Sequence, residues 1–264
     1  MMEFPKNLRD ARIMISNDDS IHSDGIKALE EIVRPLCPNV WVVAPETQQS
    51  AAGHSLTIHS PLRIKEYDER HVSVYGTPTD SVLLGISKIM KGFRPHLVLS
   101  GINHGRNVAD DVTYSGTVAA AIEATLMSVP SIALSQQMGE MHGSWKPDFD
   151  LARKALPGIL KSLQGKSWDD NVLLNINFPM KVAGVTPEVR VCPQGHYSMA
   201  EQEMVYCTDP RGRPYFWVGA QPDCDEDDDK VDAGALKAGH ITVTPLSLNL
   251  TQHPTLKTLR EALA

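Results

Sequence analysis

The first 180 residues alternate between short apolar runs and segments in which apolar residues recur every three or four positions. Short apolar runs are typical of buried strands, and the recurrence at three and four is typical of a helix with one buried face. Their alternation predicts an α/β fold with a parallel sheet covered by helices. We expect its strands over residues 12–16, 40–44, 97–100, 131–134 and 172–176.

Four helices are predicted between these strands, over residues 26–36, 79–90, 115–127 and 149–163. In the first, Ile26, Leu29 and Val33 lie on one face. In the second, Thr79 is expected to cap the free backbone donors. In the fourth, Pro157 predicts a kink or a break, because proline cannot donate the helical hydrogen bond.

The pattern changes near residue 185. Before it, two strand-like runs at 62–65 and 72–75 predict a hairpin inserted into the α/β frame. After it, proline, glycine and aromatic residues become frequent, and helical periodicity is absent until near the end of the chain. We therefore expect a core over residues 1–184 and an irregular β-rich arm with a terminal helix over 185–264, with both in one structural domain as an alternative.

Composition and charge exclude several classes of protein. The chain has 264 residues, 42% of them hydrophobic, which is enough to bury a large core. Its formal charge of −7 gives no general attraction to nucleic-acid phosphates, so we expect no binding to nucleic-acid polymers. Apolar runs fall short of the roughly 18 residues that a membrane span needs, and residues 1–10 lack a secretory signal, so we expect a cytoplasmic protein.

Neither the cysteines nor a run of acidic residues gives a strong signal for a metal or redox site. The four cysteines include no C-x-x-C pair, which argues against a zinc ribbon or a thioredoxin-type site. Seven acidic residues lie between Asp223 and Asp232. They could chelate cations, but repulsion among like charges favours a solvated, mobile loop.

The strongest chemical signal follows the first predicted strand, because ligands of open parallel sheets bind beyond the carboxyl ends of the strands. Asp18 and Asp19 lie there side by side. Burying two like charges together is costly unless a cation neutralises them, whereas a helix cap would explain only one of them. Asn103, after the third strand, offers an amide oxygen on the same rim. Such oxygen ligands suit Mg²⁺ or Mn²⁺.

A second signal lies at the start of the third predicted helix. Ser115, Gly116 and Thr117 combine free backbone N–H groups, the positive helix end and two hydroxyls, which suits a phosphate group. A serine that only caps the helix is an equally good interpretation. For residues 76–80 we favour a structural cap and turn over a contact with ligand.

Taken together, the ordered motifs resemble the SurE family, survival proteins with nucleotidase activity. The motifs that carry the resemblance lie between residues 12 and 135: Asn17-Asp18-Asp19, Val43-Ala44-Pro45 with Gln49-Ser50, Gly76-Thr77-Pro78-Thr79-Asp80, the stretch 100–107 and the stretch 114–118. This chain departs from the family at Ser20 and Ala109, where glycine is common. A serine at position 20 could alter the turn that aims Asp19.

The resemblance implies a fold, a cofactor and an assembly. The fold would be a Rossmann-like, mostly parallel sheet with helices on both faces. Each subunit would hold one divalent cation, Mg²⁺ or Mn²⁺, through Asp18, Asp19, Ser50 and Asn103. Carboxyl-terminal elements would reach across to a neighbouring subunit in a homodimer or homotetramer.

We therefore expect a divalent-metal-dependent 5′-nucleotidase that hydrolyses nucleoside 5′-monophosphates to nucleoside and phosphate. Its catalytic residues would be Asp18 and Asp19, and its contacts with the substrate phosphate would be Asn107, Ser115, Gly116 and Thr117. One alternative is a broader phosphatase that also acts on 3′-nucleotides or short polyphosphate. Another, from a different class, is a nucleotide-sensing binding protein without turnover. The preferred nucleobase of the substrate, the physiological metal and the group that acts as general base stay open.

Overall fold

The computed structural model describes residues 1–141, 144–196, 203–219 and 228–264. The helices are α1 Asp24–Val33, α2 Pro78–Leu84, α3 Gly116–Leu126, α4 Asp150–Leu163, α5 Asp232–Lys237 and α6 His253–Ala262. The strands are β1 Met2–Glu3, β2 Ile13–Ser16, β3 Val40–Pro45, β4 Ile64–Glu66, β5 His71–Val74, β6 Leu97–His104, β7 Ser131–Gln136, β8 Met138–Met141, β9 Ser144–Pro147, β10 Ser167–Trp168, β11 Val172–Phe178, β12 Val189–Val191, β13 Met204–Thr208, β14 Pro214–Val218 and β15 Ile241–Ser247.

Nine of the described strands form one large sheet, in the order β12-β15-β11-β7-β6-β2-β3-β5-β4. The other six form the two-stranded sheets β1-β10, β8-β9 and β13-β14. The central pairs β11-β7, β7-β6, β6-β2 and β2-β3 are parallel, as are β3-β5 and β12-β15. The pairs β11-β15 and β4-β5 are antiparallel. The mostly parallel α/β fold predicted from the alternating pattern is therefore confirmed.

Helices pack on both faces of this sheet because side chains along each strand point alternately to opposite sides. On one face, Ile13 and Ile15 of β2 belong to a core that also contains Leu29 of α1 and Leu156 of α4. On the other face, Met14 packs in a core with residues of α2 and α3. The small residues of α3 allow that helix to lie close against the strands beneath it.

Helix α2 corrects one predicted cap. Its N-cap is Thr77, whose hydroxyl accepts the N–H of Asp80 at 3.1 Å, while the Asp80 carboxylate accepts the N–H of Thr77 at 2.8 Å. The prediction of Thr79 as the cap is wrong, because Pro78 suits the first helical position and moves the cap to the residue before it. A π-helical turn over Gly85–Ile89 continues the helix.

Two other helices differ from the prediction at a proline. Helix α1 ends at Val33 rather than near residue 36, because the residue before Pro35 is disfavoured in the helical conformation. Leu36 still packs against the core from outside the helix. Helix α4 runs without a break through Pro157, so the predicted break does not occur.

The predicted hairpin is present as β4 and β5, and it extends the edge of the large sheet through the β3-β5 pairing. The division of the chain at residue 185 stays a prediction, while the segment beyond it adds β12 and β15 to the large sheet. It also contains the separate hairpin β13-β14. None of the helices in the described ranges is long and apolar enough to cross a membrane.

Part of the acidic run, residues 223–227, lies outside the described residues. Its last member, Asp232, is fully buried and accepts the backbone N–H groups of Gly195, Ala109 and Ala233 at 2.8, 3.1 and 2.8 Å. The interpretation of the run as a solvated loop is therefore wrong for Asp232. The carboxylate satisfies three backbone donors that would otherwise be buried without a partner.

Candidate functional site

The predicted site residues lie at the carboxyl edge of the sheet, around the central strand β2. Ser16 at the end of β2 is paired with Ser100 of β6, so the loops that follow the two strands leave the sheet side by side. On the other side β2 is paired with β3. The connection after β2 leads to β3 on one side, whereas the connection after β6 leads to β7 on the other side. The gap between β2 and β6 is therefore the switch point where open α/β sheets bind their ligands.

Asp18 lies between the end of β2 and the first turn of α3. Its side chain is almost entirely buried and accepts a short hydrogen bond from the Thr117 hydroxyl. A Cβ atom built on Gly116 would lie 2.7 Å from the Asp18 Cβ and 2.9 Å from its Oδ2. Only glycine permits this approach, so the first turn of α3 is shaped around the carboxylate.

Burial raises the pKa of Asp18 from 3.8 to about 6. The hydrogen bond from Thr117 acts in the opposite direction, and the nearby charge of Asp19 raises the pKa further. The folded chain thus disfavours the ionised form of Asp18 because it is taken out of water beside a second carboxylate. Positive charge at this position would reverse that preference.

The Asp19 side chain is oriented by β6 and by the loop that follows β2. The backbone N–H of His104, at the end of β6, donates to Asp19 Oδ2 at 3.0 Å. The side chain of Asn17 donates to Ser20 O and to Ser23 Oγ, both at 2.8 Å, which fixes the loop that leads into α1. Ser20 has a φ of +88°, a conformation that glycine adopts without steric cost and that serine tolerates poorly.

Asn103 lies in the last part of β6, where the register against β7 shifts between Ser100 and Asn103. Its Nδ2 donates to Gly105 O at 3.0 Å. Because the amide nitrogen is held by this bond, the orientation of the amide is fixed and its oxygen is directed elsewhere. The side chain is half-buried on the same rim as the acid pair.

Ser50 lies in the loop that connects β3 to β4. The N–H of Gln49 donates to the backbone oxygen of Asp18 at 2.8 Å, so the loop crosses directly beside the acid pair. The Ser50 hydroxyl is exposed and accepts a hydrogen bond from Gln48 at 2.9 Å. The roles of Ser50 and Asn103 as metal ligands stay predictions, and the fold brings both residues to the edge that carries Asp18.

The predicted phosphate contacts at α3 already have partners within the chain. Ser115 is the N-cap, and its hydroxyl accepts the N–H of Val118 at 3.1 Å while its own N–H donates to Asp111 O at 3.1 Å. Thr117 uses its hydroxyl on Asp18. The cap interpretation of Ser115 thus has direct geometric support, and its contact with phosphate stays a prediction.

Asn107 lies beneath the rim in a network of buried polar side chains. Its N–H donates to Asn177 Oδ1 at 2.8 Å, and its Nδ2 donates to Ser135 Oγ at 2.8 Å. The side chains of Asn175 and Asn177 both donate to its backbone oxygen, at 2.8 and 3.0 Å. This network fixes the position of the loop after β6. The contact of Asn107 with phosphate stays a prediction.

The network contains two residues that the pattern of apolar positions does not identify. Asn175 and Asn177 are fully buried in β11, although their neighbours in the strand are apolar. Two asparagines in an otherwise apolar strand indicate a buried hydrogen-bond network, because buried amides need partners. Ala109 has a φ of +50°, a conformation that favours glycine, and it donates its N–H to Asp232 at 3.1 Å.

The donors at this edge fit a hard divalent cation. In the described ranges, no three His, Cys, Asp or Glu side chains cluster as a metal site. A cation at Asp18 and Asp19 would therefore need hydroxyl, amide or water oxygens to complete its shell, which suits Mg²⁺ or Mn²⁺ better than zinc. The cost of burying Asp18 beside Asp19 is the observation that favours a cation here.

Comparison with known proteins gives consistent matches. A family model described as Survival protein SurE matches residues 13–201. The chain is 47% identical over 251 residues to the 5′-nucleotidase SurE of Paramagnetospirillum magneticum, covering 95% of each chain. It is 45% identical over 257 residues to the 5′-nucleotidase SurE of Brucella anthropi, covering 96% of this chain and 97% of that relative. The crystal structure of the SurE protein from Aquifex aeolicus matches with a TM-score of 0.81 and 34% identity, covering 96% of this chain and 100% of that one.

Replacing Asp18 with Asn should stabilise the protein when a chelator is present. Between pH 3.8 and about 6 the folded chain holds the Asp18 proton and the unfolded chain does not. The free energy of unfolding therefore falls as pH rises through this window. At neutral pH, Asp18→Asn should gain on the order of 2 kcal/mol over the parent in urea unfolding with EDTA.

The gain should disappear below about pH 4, where Asp18 is protonated in both states. Glu69→Gln, which changes an exposed carboxylate in a turn, is the matched control and should leave stability nearly unchanged. A variant Asp18→Asn that is less stable than the parent at neutral pH would contradict the argument from burial.

Proposed function

Because the chain belongs to the SurE family and is a 5′-nucleotidase, we propose that it hydrolyses nucleoside 5′-monophosphates to nucleoside and phosphate with one divalent cation per subunit. The family model and the relatives named 5′-nucleotidase SurE support the nucleotidase activity. The buried carboxylate of Asp18, next to Asp19 and the first turn of α3, is the single observation that supports a cation at the site.

We propose that the cation is held by Asp18, Asp19, Ser50 and Asn103. When bound, it supplies positive charge that stabilises the transferring phosphoryl group. The Thr117 hydroxyl keeps one oxygen of Asp18 in a fixed orientation, and the His104 N–H does the same for Asp19. Both carboxylates are thus oriented before substrate arrives, which lowers the reorganisation that the reaction requires.

The proposed position of the substrate phosphate is the N-terminus of α3. Gly116 lies there with the Asp18 side chain packed against it, so a phosphate at this helix end would lie next to a proposed ligand of the cation. The helix end favours negative charge through its free N–H groups. Ser115 and Thr117 flank this glycine, and Asn107 is the fourth proposed contact. The substrate phosphate would therefore lie between the cation and the helix.

We also propose that the protein is a homodimer or homotetramer. Most of the hairpin β13-β14 is exposed on both faces, including the large apolar residues Tyr206, Phe216 and Trp217. An isolated two-stranded hairpin is marginally stable in water, so this one needs a cover. A second copy of the chain would supply it, since closed symmetric assemblies are the common way to bury such a surface.

Activity should depend on both the cation and the acid pair. Phosphate release from 5′-AMP should stop with EDTA and return with Mg²⁺ or Mn²⁺. Asp18→Asn and Asp19→Asn keep the shape of the side chains but remove a charge, so turnover should fall by about a hundredfold or more. Full activity in the metal-stripped parent would contradict the proposal.

A panel of 5′-AMP, 3′-AMP and short polyphosphate, assayed with the same enzyme, tests the proposed substrate class. Glu69→Gln is again the control and should retain parental turnover. A preference for 5′-nucleotides supports the proposal, whereas equal or faster hydrolysis of 3′-nucleotides or polyphosphate would favour a broader phosphatase.

Assembly should depend on the exposed hairpin. Light scattering at micromolar concentration should report a dimer or a larger species for the parent. The double variant Phe216→Ser/Trp217→Ser should shift the population towards monomers, because it removes apolar area from the proposed contact. Phe93→Ser changes an equally exposed aromatic residue outside the hairpin and should leave the assembly intact. A monomeric parent would contradict the proposed assembly.

A further inference from the structure

The loop between β3 and β4 has no regular secondary structure and carries Ser50, one of the proposed metal ligands. Backbone contacts on both sides of Ser50 hold its first half. Gln49 donates to Asp18 O at 2.8 Å, and Gly53 donates to Tyr114 O at 3.2 Å. Without further support, a loop of this length samples many conformations, and each must be lost when Ser50 takes up its position.

The second half of the loop is fixed to the start of α2. The Asp80 carboxylate, which belongs to the cap of that helix, accepts the N–H of Thr57 at 3.0 Å and the Thr57 hydroxyl at 2.6 Å. The Thr77 hydroxyl donates to Ser55 O at 2.7 Å. The motif at residues 76–80 therefore has a structural function, which is to anchor the loop at its far end.

Between these two anchors, one side chain of the loop makes an ion pair with α3. His54 Nε2 lies 3.0 Å from Glu123 Oε2. The carboxylate side chain of Glu123 is 10% exposed, and it lies in a helix that is otherwise rich in alanine and other small residues. A buried carboxylate is costly without a partner, so the pairing gives His54 a strong preference for this position.

The same helix contacts the acid pair. Gly116 and Thr117 in its first turn touch Asp18, and Glu123 follows Gly116 by seven residues, two turns along the same face. Helix α3 therefore contacts Asp18 through its first turn and the Ser50 loop through Glu123 and His54. Movement of the loop away from α3 would disturb the contact of Gln49 with Asp18 O and displace its neighbour Ser50.

We propose that the His54–Glu123 ion pair is a positioning device that holds the Ser50 loop against α3 and thereby completes the cation site. This inference rests on the proposed function, because it requires that a cation binds at Asp18 and Ser50. His54 and Glu123 act through the loop and do not touch the substrate. Their loss therefore weakens cation binding more than it slows turnover at saturating cation.

The test measures Mn²⁺ binding directly, from the electron paramagnetic resonance signal of free Mn²⁺. His54→Ala should raise the dissociation constant for Mn²⁺ by about tenfold or more, the usual effect of losing a partner of a metal ligand. His54→Gln retains a side-chain N–H that can reach Glu123, and it should recover most of the affinity. The kcat at saturating Mn²⁺ should stay within about threefold of the parent in both variants.

A matched control separates positioning from stability. His71 of β5 contacts Glu30 of α1 at 2.9 Å and Asp68 at 2.8 Å, and none of these residues lies in the Ser50 loop. His71→Ala should lower the free energy of unfolding as His54→Ala does, but it should leave Mn²⁺ affinity unchanged. The double variant His54→Ala/Glu123→Ala removes the unpaired buried charge, so it should regain stability without regaining affinity.

Hydrogen exchange gives a readout that needs no metal. Amides of residues 47–54 should exchange faster in His54→Ala than in the parent, while those of α3 should not. Equal Mn²⁺ affinity in the parent and His54→Ala, or full recovery of affinity in the double variant, would overturn the inference alone. A parent chain that binds no Mn²⁺ would overturn the proposed function as well.

Discussion

The burial of the Asp18 carboxylate at the end of β2 is the constraint on which the rest of the site depends. A carboxylate in this position destabilises the fold, as its raised pKa shows, so the surrounding residues must be arranged to tolerate it. Gly116 is required because a larger residue would meet Asp18, and Thr117 is required to satisfy one of its oxygens. A cation bound at the proposed site would recover the stability lost here.

Helix α3 and a buried hydrogen-bond network fix the chain around Asp18. The small residues of α3 let it pack against the sheet, so its first turn is fixed relative to β2. Beneath the loop after β6, Asn175 and Asn177 hold Asn107 by both its N–H and its backbone oxygen. Buried hydrogen-bond networks of this kind favour one arrangement of the chain, which the proposed site for phosphate and a cation would require.

Much of the fold and part of the site were predictable from the sequence, for identifiable reasons. The parallel sheet follows from the alternation of apolar runs with helical periodicity, and the position of Asp18 follows from the rule about strand ends. The choice of Thr77 rather than Thr79 as the cap of α2, and the contacts of Asp232 and Glu123, were not predicted. Each depends on residues that are distant in sequence or on a local competition between neighbouring caps, and a periodic pattern contains neither.

The pKa of Asp18, measured with and without Mg²⁺, tests the central claim most directly. Carbon-13 labelling of the aspartate carboxyl groups allows its titration by NMR, with Asp18→Asn identifying the signal. In chelator, where burial dominates, we expect a pKa of about 6 for Asp18. With saturating Mg²⁺ the pKa should fall by at least about one unit, because a cation stabilises the ionised form. An Asp18 pKa that is the same in both conditions would contradict a cation site built on this carboxylate.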